Sequence, residues 1–338
     1  MMSSAELDDL LTKPSDRLIE DLQKIEGDIL ILGIGGKMGP SLARLAKRAI
    51  QAGRIEKRII GVSRFSDPAK RAELEAFGIE TIQGDLLDDA FLQSLPMVKN
   101  VLFMAGQKFG TSGNQAFTWA MNTYLPARVA GKFKHARIVA FSTGNVYPFM
   151  DVNGQGATED TPTAPIGEYA QSCLGRERMF EYFSMKNQTP VLLYRLNYAL
   201  DLKYGVLNDI ARKVWQEAPI DLSMGYVNVI WQGDANEYAI RSLLHCQTPA
   251  NILNITGPEK LELRALAETF GRLMQKTPRL VGEAQATALL NDSSKAHMLM
   301  GAPSISIQQM MEWTVAWVKS GGEELNKPTH FQTRDGKF

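Results

Sequence analysis

The 338-residue sequence predicts an α/β protein, a doubly wound parallel sheet followed by a smaller, mostly helical C-terminal region. Two observations carry this prediction. Between residues 28 and 200, short apolar runs alternate with helix-patterned segments, and crossover connections of that length join parallel strands. The first apolar run, "DILILG", opens directly into "IGGKMG", which places glycines at three-residue intervals ahead of an amphipathic helix.

Taken in order, residues 1–27 precede the first strand. Within them "PSDRLIEDLQKIEG" reads as a helix capped by Ser15, with Leu18, Ile19, Leu22 and Ile25 on one face, packed on the domain as an extension. Residues 28–200 then alternate. "DILIL" is a buried strand, and "KMGPSLARLAKRAIQAG" is a helix with Leu42, Leu45, Ala46 and Ala49 inward and Gly53 as its stop. The later strands are "RIIGVSR", "IETIQGD", "NVLFMAG", "RIVAFST" and "PVLLYRLN". The helices between them are "DPAKRAELEAFG", "LDDAFLQSL", the long "QAFTWAMNTYLPARVAGKFK" and 167–186. After residue 200 the rhythm loosens. Residues 226–247 pair a short strand with a helix returning to the sheet domain, and 201–225 with 248–320 form a substrate-binding region. The end, 321–338, reads as a loose polar tail.

Bulk composition excludes several classes. Lys+Arg and Asp+Glu are both 37, so the net charge is zero and nothing attracts a polyanion; nucleic acid is not an expected partner. No apolar run approaches the ~18 residues a membrane helix needs. The acidic start "MMSSAELDDLLTK" lacks the apolar core of a secretory signal, so a cytoplasmic location is expected, with Cys173 and Cys246 as free thiols. Four scattered histidines (135, 245, 297 and 330) show no zinc-ligand spacing, and no metal is expected.

The glycine loop carries the first chemical reading. Gly33 permits a tight turn, Gly36 lets backbone approach a pyrophosphate, and Gly39 lets the helix pack closely on the sheet. With Gly35, Lys37 and Met38 they put the free N–H groups of a helix N-terminus against phosphate, the arrangement of a dinucleotide site. The second strand ends in Ser63 and Arg64, with no acid before Asp67. An arginine there pairs with a 2′-phosphate, so NADP is expected in preference to NAD.

In this order the motifs resemble an extended short-chain dehydrogenase/reductase of the NAD-dependent epimerase/dehydratase kind, over roughly 28–320. The resemblance rests on "GIGGKMG", "GDLLD" after the third strand, "FMAG" ending the fourth, "FSTGNVYP" after the fifth, Tyr169 on the next helix, and "YRLN" ending the sixth. It implies a Rossmann-like core, NAD(P), and a sugar-like hydroxyl or keto substrate. It further implies that Asp85 and Leu86 contact adenine, although Asp85 could also cap the following helix. Met104, Ala105 and Gly106 would line the riboses, Asn197 would lie at the nicotinamide end, and Asn122 would be a support. Thr143 would hold the substrate oxygen and Tyr169 would move its proton. Gln107, Lys108, Asn145 and Tyr198 would meet the substrate, in a pocket drawn from 107–111, 143–149, 197–204 and the 220s. A homodimer is expected, through the helices at about 115–133 and 167–186.

One departure stands out. In "EYAQSC", Cys173 replaces the family's lysine, one helical turn after Tyr169 on the same face. Free tyrosine has a pKa of ~10, and a neutral thiol neither favours its phenolate nor hydrogen-bonds a ribose. Several readings stay open. Lys108 or Arg176 could supply the missing charge; Tyr169 could act as an acid with its proton in place; or the chain could be a non-catalytic NAD(P)-binding regulator or scaffold.

Overall fold

A computed structural model of the chain describes residues 3–108, 110, 113–327 and 329–337. Its centre is a sheet of seven strands: β1 (Ile29–Leu32), β2 (Ile59–Ser63), β3 (Glu80–Gln83), β4 (Asn100–Phe103), β5 (Arg137–Thr143), β6 (Val191–Leu196) and β7 (Asn251–Ile255). They lie side by side in the order β3-β2-β1-β4-β5-β6-β7. Every pair is parallel. The chain reverses its direction of winding between β1 and β4, which opens a crevice at the carboxyl ends of those strands.

Alternate residues of each strand face opposite layers. Leu30, Leu32, Val101 and Phe103 pack with Val129, Phe133 and Phe180 on one side. Ile29, Ile31, Leu102 and Val139 pack with Leu42, Ala46 and Ala49 on the other. Burial on both faces explains why the sequence shows continuous apolar runs there and no polar alternation. The seventh strand adds to the six expected. Asn251–Ile255 comes from the segment assigned by sequence to the substrate region, and it pairs with β6 along its whole length.

The N-terminal extension is two helices, Ser4–Thr12 and Asp16–Lys24. The Ser15 hydroxyl accepts from the Leu18 N–H at 3.1 Å, as expected of a cap, and also donates to Glu237 at 2.6 Å. Leu18 and Leu22 enter the sheet core, while Leu7 and Leu11 enter the C-terminal core beside Trp231. That second core gathers the helices Val206–Trp215, Leu263–Met274 and Ile307–Lys319.

The expected long helix is interrupted. It runs as Gln115–Trp119, a π-helical turn Ala120–Tyr124, and Leu125–Lys132. Pro126 has no N–H to give the carbonyl four residues back. That carbonyl, of Asn122, is approached instead by Nε of Arg176 at 3.4 Å.

The expected loose tail also differs. Leu325 donates its N–H to the Lys203 carbonyl, and Phe331 is 3% exposed within the C-terminal core. Polar composition hides this anchoring, because the segment binds through its backbone, polar side chains such as Thr329 and Arg334, and one aromatic ring. No helix among the described residues is long and apolar enough to cross a membrane.

Candidate active site

The crevice between β1 and β4 opens into a groove. At its floor Gly33 has φ +92°, and a Cβ there would stand 2.6 Å from the Ala105 backbone nitrogen. At Gly39 a Cβ would meet the Ile34 carbonyl oxygen at 2.1 Å, so the helix Gly39–Ala52 sits on the strand end only because that side chain is hydrogen. Gly36 is exposed, and a Cβ there would meet only the Gly33 carbonyl oxygen, at 3.4 Å. This cradle fits a pyrophosphate, with the helix N-terminus supplying the complementary partial charge. One end of the groove, where the sequence reading puts adenosine, is a cavity of about 500 Å³. Ser63, Arg64, Asp85, Leu86, Ala105, Gly106 and Gln107 line it, together with Gly35 and the unanticipated Lys70.

One detail departs from expectation there. Asp85 is not the cap of the next helix; Asp88 is, accepting from the Phe91 N–H at 2.8 Å. Asp85 instead accepts from the Leu87 N–H at 2.9 Å in a short turn. Asp67, the nearest acid after Arg64, is occupied capping Pro68–Ala76 through the Ala69 N–H.

The other end of the groove is a second cavity of about 260 Å³. It brings together Gly33, Gly36, Lys37, Met38, Gly39, Met104, Lys108, Thr143, Asn145, Tyr169, Asn197 and Tyr198. Tyr204, Gly205, Val206 and Thr329 complete its wall. Tyr204 falls in the expected stretch 197–204, whereas no spacing in the sequence connects Gly205, Val206 or Thr329 to the glycine loop. Of the remaining stretches expected to form the pocket, Phe109 and Thr111 lie outside the described residues.

Thr143 ends β5, where its hydroxyl accepts from the Asn145 N–H at 3.2 Å. It also contacts the Tyr169 hydroxyl, as does Cys173. Burial, reinforced by Cys173, raises the Tyr169 phenol well above its ordinary range, so it carries its proton at neutral pH. Cys173 is 1% exposed, and burial likewise pushes its thiol up. The Lys108 ammonium lies 6.0 Å from the Tyr169 ring centre, and burial lowers its pKa to about 8. Lys37, also lowered by burial to about 8, crosses the groove to the Ala199 carbonyl at 3.2 Å and stands 4.0 Å from Asp201.

Arg176 does not turn into the cleft. It is buried, donating to the Phe141 carbonyl at 2.6 Å and the Asn122 Oδ1 at 2.8 Å. Asn122 in turn accepts from the Gln107 N–H, and donates to the Gln107 carbonyl and to Ser172. The π-helical turn therefore ties the loop after β4 to the Tyr169 helix, Gly167–Asn187. Beneath the site a buried ion pair does similar work. Arg195 donates twice to Glu177, at 2.9 and 2.6 Å, and once to the Tyr147 hydroxyl at 2.6 Å. Ser142 donates to the same Glu177 carboxylate. This network fixes β5 and β6 against the helix that holds Tyr169. Removing one partner of such a pair typically costs about 3–5 kcal/mol. Asn197, 3% exposed, has its side-chain nitrogen unpartnered among the described residues at the cavity wall.

Residues 29–199, just over half of the chain, match the NAD-dependent epimerase/dehydratase family. The chain belongs to that family. It is accordingly an NAD-dependent enzyme, built on the Rossmann-like fold of the group. A comparison of its sequence with curated proteins finds no match. Among solved structures, it is similar to the dTDP-glucose 4,6-dehydratase of Streptomyces venezuelae, solved with NAD bound, with a TM-score of 0.72 and 18% identity over 87% of this chain and 97% of that one. The UDP-glucuronic acid 4-epimerase of Bacillus cereus, in complex with UDP-glucuronic acid and NAD, gives 0.68 and 17% over 87% and 99%. An epimerase of Methanothermobacter thermautotrophicus gives 0.72 and 17% over 90% and 96%. At such identities the likeness is one of fold.

Proposed function

We propose that this enzyme is an oxidoreductase or epimerase/dehydratase that works on a hydroxyl or keto group of a sugar-like small molecule, with Tyr169 moving the proton and Thr143 holding the reacting oxygen. The observation that carries the reading is the contact between the Tyr169 and Thr143 hydroxyls at the wall of the cavity shared with the glycine loop. The nicotinamide cofactor supplies the hydride chemistry. Gly33–Gly39 would hold its pyrophosphate, Ser63 and Arg64 its adenosine ribose, Asp85 and Leu86 its adenine, and Met104–Gly106 and Asn197 its inner portion.

The chain's own residues then divide the work. Thr143 Oγ1 orients the substrate oxygen. Tyr169 donates its hydroxyl proton to that oxygen, a role suited to a phenol whose burial keeps it protonated. As the proton leaves, the Lys108 ammonium stabilises the phenolate, a task the neutral Cys173 cannot perform. Lys108 thus takes over the charge that the family's lysine supplies. Gln107, Asn145 and Tyr198 bind the remainder of the substrate. Arg64 and Lys70 line the ribose end, and Asp67, the first acid after Arg64, is occupied as a helix cap, which supports NADP as the preferred cofactor. The protein works as a homodimer.

Tyr169→Phe tests the acid–base role. General acid–base groups contribute about 10²–10⁴-fold, and a loss of that size is expected in single-turnover reduction of whichever carbonyl compound a sugar panel identifies, with cofactor affinity retained. Unchanged turnover overturns the assignment of Tyr169.

A further inference from the structure

The C-terminal segment runs across the substrate end of the site. Thr329 binds the Asp209 carboxylate through its N–H and its hydroxyl, and lines the main cavity. Phe331 plugs the C-terminal core, and its carbonyl accepts from the Tyr198 hydroxyl at 3.4 Å. Gly336 lies against the Ile166–Gly167 backbone, where the Tyr169 helix begins. Between these anchors, His330, Thr333 and Arg334 wall a small annex of about 30 Å³. Asn145 and Tyr198 line both the annex and the main cavity, so the two adjoin.

Size and charge of this space select a ligand. Drug-sized ligands occupy about 300–1,000 Å³. The main cavity offers about 260 Å³, which the nicotinamide end must share. The annex adds room for a group no larger than a carboxylate or two waters. Among the described residues no acidic side chain lines either space, whereas Lys108, His330 and Arg334 do, as does Lys37, which stands 4.0 Å from Asp201 behind the wall. Arg334 is held by uncharged partners. It donates to the Thr287 carbonyl at 2.8 Å and hydroxyl at 2.6 Å, and its guanidinium stands 4.2 Å from the Phe149 ring centre. Its sequence neighbour Asp335 pairs with Lys337 instead, at 3.2 Å. Such basic enrichment is local, because the whole chain is electrically neutral.

We propose that the annex is a carboxylate subsite, and that the substrate is a small free sugar acid with no nucleotide attached. Its carboxylate meets Arg334 while its reacting carbon lies at Tyr169 and Thr143; this second placement rests on the function proposed above. The C-terminal strap sets both the length of the substrate and its charge.

Calorimetric titration of the full-length NADPH-loaded protein tests this, with D-glucuronate, D-galacturonate and D-gluconate as probes against D-glucose and D-galactose. At least one acid is expected to bind about tenfold or more tightly than the neutral sugars, the range of a charge-assisted pair. Arg334→Gln should erase that preference, and Lys337→Gln should keep it. Should Arg334→Gln misfold, Thr333→Glu introduces a repelling carboxylate into the annex and should abolish binding of the acid. The proposal is overturned if no acid binds, if acids and neutral sugars bind alike, if the preference survives both variants, or if UDP-glucose binds more tightly than any acid. Because the readout is binding, a failed catalytic role for Tyr169 would appear separately, as an acid that binds without turning over.

Discussion

At position 173 a buried thiol occupies the place from which a lysine would influence the tyrosine, so any positive charge must reach Tyr169 from elsewhere. Arg176 is committed to two carbonyls and an amide. Lys108 comes from the loop after β4, and burial has brought its pKa to about 8. The sign follows directly: the ammonium is present below about pH 8 and is lost as pH rises through that value. Reduction by the wild type should therefore decline above about pH 8. Lys108→Met should remove that alkaline limb and lower kcat by about tenfold or more, ~1.4 kcal/mol of transition-state stabilisation. Lys37 has the same lowered pKa but is directed to Asp201 and the Ala199 carbonyl. Lys37→Met should weaken cofactor binding and leave the limb in place. A pH–rate profile for Lys108→Met identical in shape to the wild type would remove Lys108 from the chemistry.

Among elements, the carboxyl end of β2 governs which cofactor is accepted. Arg64 is exposed there, Lys70 stands in the first turn of the next helix, and Asp67 is held by the Ala69 N–H. NADPH should bind about tenfold or more tightly than NADH, and Arg64→Ala should erase most of the difference; fluorescence titration favouring NADH in the wild type would reverse the choice. This element was legible in the sequence because a strand, a turn and a helix start are local features with local signals. The glycine loop was legible for the same reason. Asp85 and Asp88 both suit the role of cap in sequence, and only the helix start at Asp89 decides between them. The π-helical turn depends on Pro126 meeting Arg176 from another helix. The strap depends on Phe331 finding a core gathered from three separate helices and the N-terminal extension. Neither is encoded in periodicity. Thr329, likewise, joins the site only through tertiary packing.

On the scale of the whole molecule, the two helical segments either side of the site also look outward. Gln115–Lys132 and Gly167–Asn187 pack against each other and are tied at one end by the Trp119 indole donating to Glu168. Their inner faces carry Asn122, Ser172 and Arg176, which build the site. Their outer faces leave Tyr124 55%, Tyr182 50% and Met185 55% exposed. In the homodimer proposed above, these exposed apolar side chains would supply the contact, and a two-fold pairing would set each surface against its own copy. With no net charge on the chain, little long-range repulsion opposes that pairing. Light scattering on the eluting wild type should give twice the chain mass at micromolar concentration. Tyr182→Glu combined with Met185→Glu should give the single-chain mass, because burying like charges across a two-fold axis is costly. The same side chains lie on the face of the Tyr169 helix away from the cavity, so the monomeric variant should still bind NADPH. A wild type that elutes as a monomer at every accessible concentration would refute the pairing, and would leave the active site of each chain to be completed by that chain alone.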